Sequence, residues 1–227
     1  MKDLIDYILK YLPQYFTDFG SAFSGPKSFI AAKRVDANDG FGEALLFLGI
    51  SMVLVLLMFA PLQPAGSDFL SYAGANFVTF LIAVPLGAMA IRVGWWLVGG
   101  RASARSFFIT YAYYFGVVVV MITAVQLLSL GFFKTFEPQL YQQFIVASQK
   151  HQSMPDMSQS YIPGTALVVF IFGYLMISIW ALIGWGAFRQ LTGVGKLRSF
   201  AALIISGVLM LPVTAVIFFV ARAVGSL

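Results

Sequence analysis

The sequence predicts an all-α, polytopic membrane bundle of five transmembrane helices behind an N-terminal amphipathic helix. Three observations carry that prediction. Of the 227 residues 60% are apolar and only 10% charged, with mean hydropathy +0.88, against roughly 25% charged in soluble domains. Five apolar runs each reach 22 residues or more, enough to cross a hydrocarbon core of about 30 Å. Charges are missing from the middle of those runs and collect at their ends. A soluble globular enzyme and a disordered chain are both excluded. With 0 Cys there is no disulfide framework, thiolate nucleophile or cysteine metal site.

Residues 1–40 read as a cytoplasmic amphipathic segment. Asp3 and Asp6 stand where a signal peptide needs basic residues, so no cleavable leader is expected. Leu4, Ile8, Leu12, Tyr15, Phe16 and Phe19 recur at spacings of three and four, with Asp3, Asp6, Lys10, Gln14 and Asp18 between them. That stripe suits either the membrane interface or the bundle's own surface. Pro13 is expected to kink or split the helix. Gly25-Pro26 is a breaker, and residues 36–40 read as the turn before the first span.

Residues 41–227 form the membrane domain, with spans at about 41–62, 69–98, 106–132, 162–188 and 199–224. A lipid-exposed backbone must satisfy its own hydrogen bonds, and runs this long are helices rather than barrel strands. The only sizeable loop on the far side is 133–161. Glu137-Pro138 starts a short helix there, with Phe136, Leu140 and Phe144 on one face.

Orientation follows from charge. The 14 basic residues divide 11 to 3 across the membrane and the nine acids 6 to 3, so the whole net charge of +5 lies on one face. The positive-inside rule makes that face, and the N-terminus, cytoplasmic and puts the C-terminus outside. The basic balance therefore marks orientation, and no nucleic-acid partner is implied.

The loops 99–108 (GGRASARSFF) and 193–202 (GVGKLRSFAA) resemble each other. Both are glycine-containing and basic. Arg105-Ser106-Phe107 pairs with Arg198-Ser199-Phe200. Each follows a helix end carrying aromatics and Arg: Arg92, Trp95 and Trp96 in one, Trp185, Phe188 and Arg189 in the other. Two hairpins of the same orientation, a parallel repeat, would give this pattern. Topology alone would also place basic residues there.

Candidate chemistry is sparse. No Asp, Glu, Lys or His sits at mid-span, which argues against ion-coupled carriers and intramembrane metallo-, aspartyl and Ser/His proteases. Gly193-Val194-Gly195-Lys196 fails as a phosphate loop, because Gln190 and Leu197 occupy required positions. His151, Met154 and Met157 in the outer loop have soft-ligand character for Cu(I), but no second signal supports a site; no cofactor is expected. Asn76 and Gln126 are the polar groups most costly to leave unpaired in lipid. They read as interhelical glue or as the lining of a path. Pro85 and Pro212 are expected to kink their helices near mid-membrane. Ala83 with Gly87, Ala90 with Gly94, and Ala202 with Ser206 are small residues four apart, suited to close helix contact. Arg101, Arg105, Arg189, Lys196 and Arg198 are candidate contacts for lipid headgroups or a partner.

Several stretches resemble the Yip-one domain family of five-span membrane proteins. They are Gly-Pro-Lys-Ser-Phe at 25–29, Trp-Trp-Leu-Val-Gly-Gly at 95–100, and SFFITYAYY at 106–114. The chain looks most like a bacterial-type member. The resemblance implies a non-enzymatic inner-membrane protein, an accessory or scaffolding subunit that assembles with or modulates another membrane complex such as a transporter. Membrane lipids, and another membrane protein or a second copy, are the expected partners. The alternative is transport of a small molecule or lipid along a polar path between kinked helices.

Overall fold

The computed structural model describes residues 2–35, 40–60, 69–149 and 163–224. Among them are eight helices and no strand. In chain order these are α1 (Lys2–Ser24), α2 (Pro26–Val35), α3 (Gly40–Phe59), α4 (Phe69–Leu97), α5 (Ala104–Phe136), α6 (Pro138–Gln149), α7 (Pro163–Thr192) and α8 (Lys196–Ala223). Helices α3, α4, α5, α7 and α8 are long and apolar enough to cross a membrane. The all-α polytopic bundle is thus the observed architecture. The far loop begins later than 133, because α5 continues to Phe136. Pro138 is the first residue of α6, and Tyr141 packs edge-on against Phe133 of α5 with centroids 5.9 Å apart.

The described part of the N-terminal stripe packs on the bundle through Leu12, Tyr15 and Phe19, whereas Phe16 is 57% exposed. Tyr15 is fully buried, its ring 4.9 Å from Phe47 and its hydroxyl 3.1 Å from Ser51 Oγ on α3. Pro13 does not split the helix: α1 runs unbroken from Lys2 to Ser24. Tyr11, Leu12, Tyr15 and Phe19, on both sides of Pro13, all join the core, so packing holds the two halves in one helix despite the lost backbone bond. Gly25 separates α1 from α2, and Pro26 opens α2. This elbow is set deep. Trp180 Nε1 donates to Phe23 O at 3.0 Å, and Trp180 lies nine residues from Arg189, about 13 Å along the helix.

The spans divide into two groups. In one, α5 is central, with α3 and α7 packed along it and α1–α2 filling the space at their basic ends. In the other, α4 packs along α8. The seam between the groups lies in the basic half of α4. It runs from Gly87 beside Tyr111 to Trp95 stacked on Trp185, centroids 5.1 Å apart. No α4 residue before Val84 is buried, and none of α8 between Ser206 and Ala221. Toward the far end the described residues of the pair are therefore only partly buried, Phe80 among them packing against the core. Pro85 and Pro212 lie inside α4 and α8 without ending them.

The expected hairpins differ from a simple pair. Sequential helices α4–α5 and α7–α8 scarcely touch along their lengths; α4 packs on α8, and α5 on α7. That exchange is what two repeat units related by a two-fold axis along the membrane normal produce. Local detail agrees. The dipeptides Gly94-Trp95 and Gly184-Trp185 occupy corresponding places, Gly94 against Ser206 of α8 and Gly184 against Tyr114 of α5. The two tryptophans meet face to face between the units.

Candidate functional site

The basic ends of α4 and α5 carry the most distinctive surface. The turn between them is built by glycine. Gly100 N donates to Trp95 O at 2.8 Å and Gly99 N to Trp96 O at 2.9 Å, with Gly99 at φ +87°. This is the paired six-to-one and five-to-two closure of a helix C-terminus, which needs a left-handed residue. A Cβ on Gly100 would meet Trp95 O at 2.8 Å, so that position also demands glycine. Three residues further, Ser103 caps α5, its Oγ accepting from Ser106 N at 3.0 Å. The chain therefore reverses tightly, with Arg101 in the turn, Arg105 in the first turn of α5, and Arg92 five residues before the end of α4.

Two cavities of about 340 and 320 Å³ flank Arg92 and share Met89, Arg92 and Phe107 in their walls. The first opens beside Trp95, Trp96 and Arg101. The second extends from Arg105 past Phe41 and Phe108 to Pro85. Arg105 holds its guanidinium 5.9 Å from the Phe41 ring centroid, within cation–π range. Arg92 and Arg101 have no acidic partner among the described residues. Trp95 Nε1, buried in the wall, has no hydrogen-bond partner among the described residues, whereas Trp185 Nε1 donates to Ser199 O at 3.2 Å.

No family model matches the chain, and no curated protein or solved structure matches it.

The five basic residues singled out from sequence are thus sorted by the fold. Arg101 and Arg105 line the two cavities; Arg198 lies over the turn, Nη1 3.7 Å from where a Gly99 Cβ would stand. Arg189 and Lys196 line none of the four described cavities. Sequence reasoning omitted Arg92 from the set. The available signal was its spacing: a cation about one and a half turns inside a span has to reach a polar rim. Asn76 and Gln126 are not brought together. Asn76 Nδ2 donates to Tyr72 O of its own helix at 2.9 Å, and Gln126 Nε2 to Tyr174 Oη of α7 at 3.2 Å. They sit in different groups, and neither lines a described cavity. His151, Met154 and Met157 lie outside the described residues. Among the described residues no three His or acidic side chains converge to hold a metal.

A second charged cluster ties the N-terminal helices down. Lys33 Nζ is 2.9 Å from Asp18 and 3.4 Å from Glu43, and Gln14 Nε2 donates to Asp18 at 2.8 Å. Asp18, read from sequence as part of the polar face, is 4% exposed. It lies three residues after Tyr15, so a one-turn neighbour of the anchoring tyrosine goes inward with it. Burial pushes the Lys33 ammonium down, but the bond to Asp18 and the charges of Asp18 and Glu43 reverse this and hold its pKa above the usual lysine value.

Proposed function

We propose that the chain is a non-enzymatic, bacterial inner-membrane protein of Yip type that assembles with another membrane protein as an accessory or scaffolding subunit. Its basic face and N-terminus lie in the cytoplasm and its C-terminus outside. The observation that carries this reading is the way its helices use glycine. Inside the protein, close helix pairs meet at glycines: Gly94 at Ser206, Gly116 at Phe47, Gly173 at Val125 and Gly184 at Tyr114. On α8, Gly207 meets nothing within 4 Å, and Leu211 and Ala215 extend the same exposed face at four-residue spacing. Small residues on a membrane helix let a second backbone approach closely. The α8 face is thus prepared for a helix that the described residues do not supply.

The transport alternative draws no support from Asn76 and Gln126, because each has a local partner and they share no path. The test is purification in mild detergent of the wild type and Gly207→Leu. The wild type should carry a stoichiometric membrane partner or a second copy, and the variant should lose it while melting at the same temperature. Identical assembly of both proteins, or solute flux by the purified chain alone in liposomes, would overturn the proposal. A C-terminal reporter active only outside the cytoplasm checks the orientation.

A further inference from the structure

We propose that Arg92, Arg101 and Arg105 form a binding site for the phosphate of an anionic phospholipid, with its glycerol and acyl portion lying along Met89, Pro85 and Phe108. The two cavities at the α4–α5 turn are polar at one end and apolar at the other. Arg101 and Arg105 stand at the turn and at the start of α5, level with the polar rim. Pro85 lies seven residues before Arg92 on α4, about 10 Å further into the membrane. Met89, Phe107 and Phe108 line the space between. A free phosphate would use only the rim. A lipid uses the whole depth, and its head and chain match the order of cations and apolar residues along the groove.

Charge supports an anion. Arg92 and Arg101 share one cavity with no acid among its walls. Clustered guanidinium groups repel one another, and a phosphodiester accepts hydrogen bonds from their forks; phosphatidylcholine carries the same phosphate, but its trimethylammonium cancels the charge, so only an anionic lipid relieves the repulsion. The positive end of α5 adds to the same potential, because Ala104 lines the second cavity. The turn is also rigid, since Gly99 and Gly100 close α4 and Ser103 caps α5. Arg101 is therefore presented from a fixed backbone. This site differs from generic attraction of a basic face to anionic lipid, which would act through Arg189 and Lys196 equally.

The chain contains its own probe, since Trp95 and Trp96 line the first cavity. The full-length protein is placed in vesicles of phosphatidylcholine containing a fixed fraction of lipid brominated on its acyl chains, either phosphatidylglycerol or phosphatidylcholine. Brominated phosphatidylglycerol should quench tryptophan fluorescence more than brominated phosphatidylcholine at equal fraction. The double variant Arg92→Gln/Arg101→Gln should weaken the excess affinity on the order of 25-fold, taking about fivefold per charge near the surface. The control Arg189→Gln/Lys196→Gln removes two charges from the same face outside the cavities and should weaken the excess far less. Equal quenching by both brominated lipids overturns the proposal. So does equal loss in the two double variants, which would mean a diffuse surface effect. Abolition of the excess by millimolar inorganic phosphate would assign the rim to a free anion instead. All three arginines are exposed, and unchanged melting of the variants shows that lost quenching is not lost folding.

Discussion

Replacing Gly94 by Val tests the close approach of α4 and α8 directly. A Cβ at Gly94 would lie 3.1 Å from Ser206 N and 3.2 Å from Ser206 Cα, and it also meets Ser206 Oγ. Carbon contacts are comfortable near 3.5–4.0 Å. The hydroxyl can rotate, but the backbone of α8 cannot move without moving the helix. Overpacking of this kind costs about 1–3 kcal/mol, and a rigid neighbour puts Val near the top of that range. Val in place of Gly returns about 0.3 kcal/mol of helix propensity. The net loss is therefore about 2 kcal/mol, or about 4–8 °C in Tm for a chain of this size. Gly94→Ala should fall between, because its smaller clash is offset by nearly 1 kcal/mol of propensity. Gly207→Val on α8 has nothing within 4 Å and should melt within about 1 °C of wild type. Thermal unfolding in mild detergent, followed by tryptophan fluorescence, measures all three. If Gly94→Val melts with the wild type, or if Gly94→Val and Gly207→Val shift equally, the seam is not where the fold puts it.

Two further outcomes follow from named contacts. Lys33→Gln leaves the Asp18 carboxylate in a site where its side chain is 5% exposed, against 22% for Lys33. A loss of about 1–3 kcal/mol is expected, between that of an exposed and a buried pair, with faster proteolysis within α1–α2. The same pair sets a pH dependence: a raised lysine pKa stabilises the fold fully below the unfolded value of about 10.4 and the gain is lost as pH rises through the higher folded value. The docking of α1–α2 should therefore hold across neutral pH and loosen only in strong alkali, and release between pH 7 and 9 in a proteolysis series would refute it. Trp185→Phe deletes the bond to Ser199 O and should cost about 1 kcal/mol more than Trp95→Phe, whose indole N–H has no partner among the described residues; equal melting of the two variants would contradict this.

Hydropathy carried the spans into view, because a run of 20 apolar residues has one stable conformation in lipid. The basic loops were legible for the same kind of reason. Packing partners were not. Nothing local says that α4 prefers α8 to its chain neighbour α5, since all five spans are apolar on every side. Gly87 and Gly94 marked close contacts without naming the other helix. The N-terminal segment was ambiguous because an amphipathic stripe suits lipid and protein alike. What settled it is non-local: Tyr15 reaches Ser51, Lys33 joins Asp18 to Glu43, and Trp180 holds Phe23 O. Pro13 did not split α1, because tertiary packing outweighs one missing backbone bond. Arg92 was passed over because its value lies in sharing a cavity with Arg101, a neighbour across a turn.

The repeat gives the bare flank of α8 a meaning that exposure alone would not. Counted from the N-cap residues Ser103 and Gly195, one residue off the Arg-Ser-Phe match, Tyr114 of α5 corresponds to Ser206 of α8; Tyr114 seats Gly184 of α7, and Ser206 seats Gly94 of α4. Two residues past Tyr114 is Gly116, where Phe47 and Ser51 of α3 press against α5. Two residues past Ser206 is Val208, which is 59% exposed. The flank that α3 covers on α5 is thus open on its counterpart, and Gly207 stands beside the opening with no neighbour. Among the described residues helix α3 is the one span outside the repeat, so they complete only one of two equivalent positions. A partner helix on α8 would repeat the packing of α3 on α5. That argument favours an assembled role over a solitary one, and it names the helix to alter first.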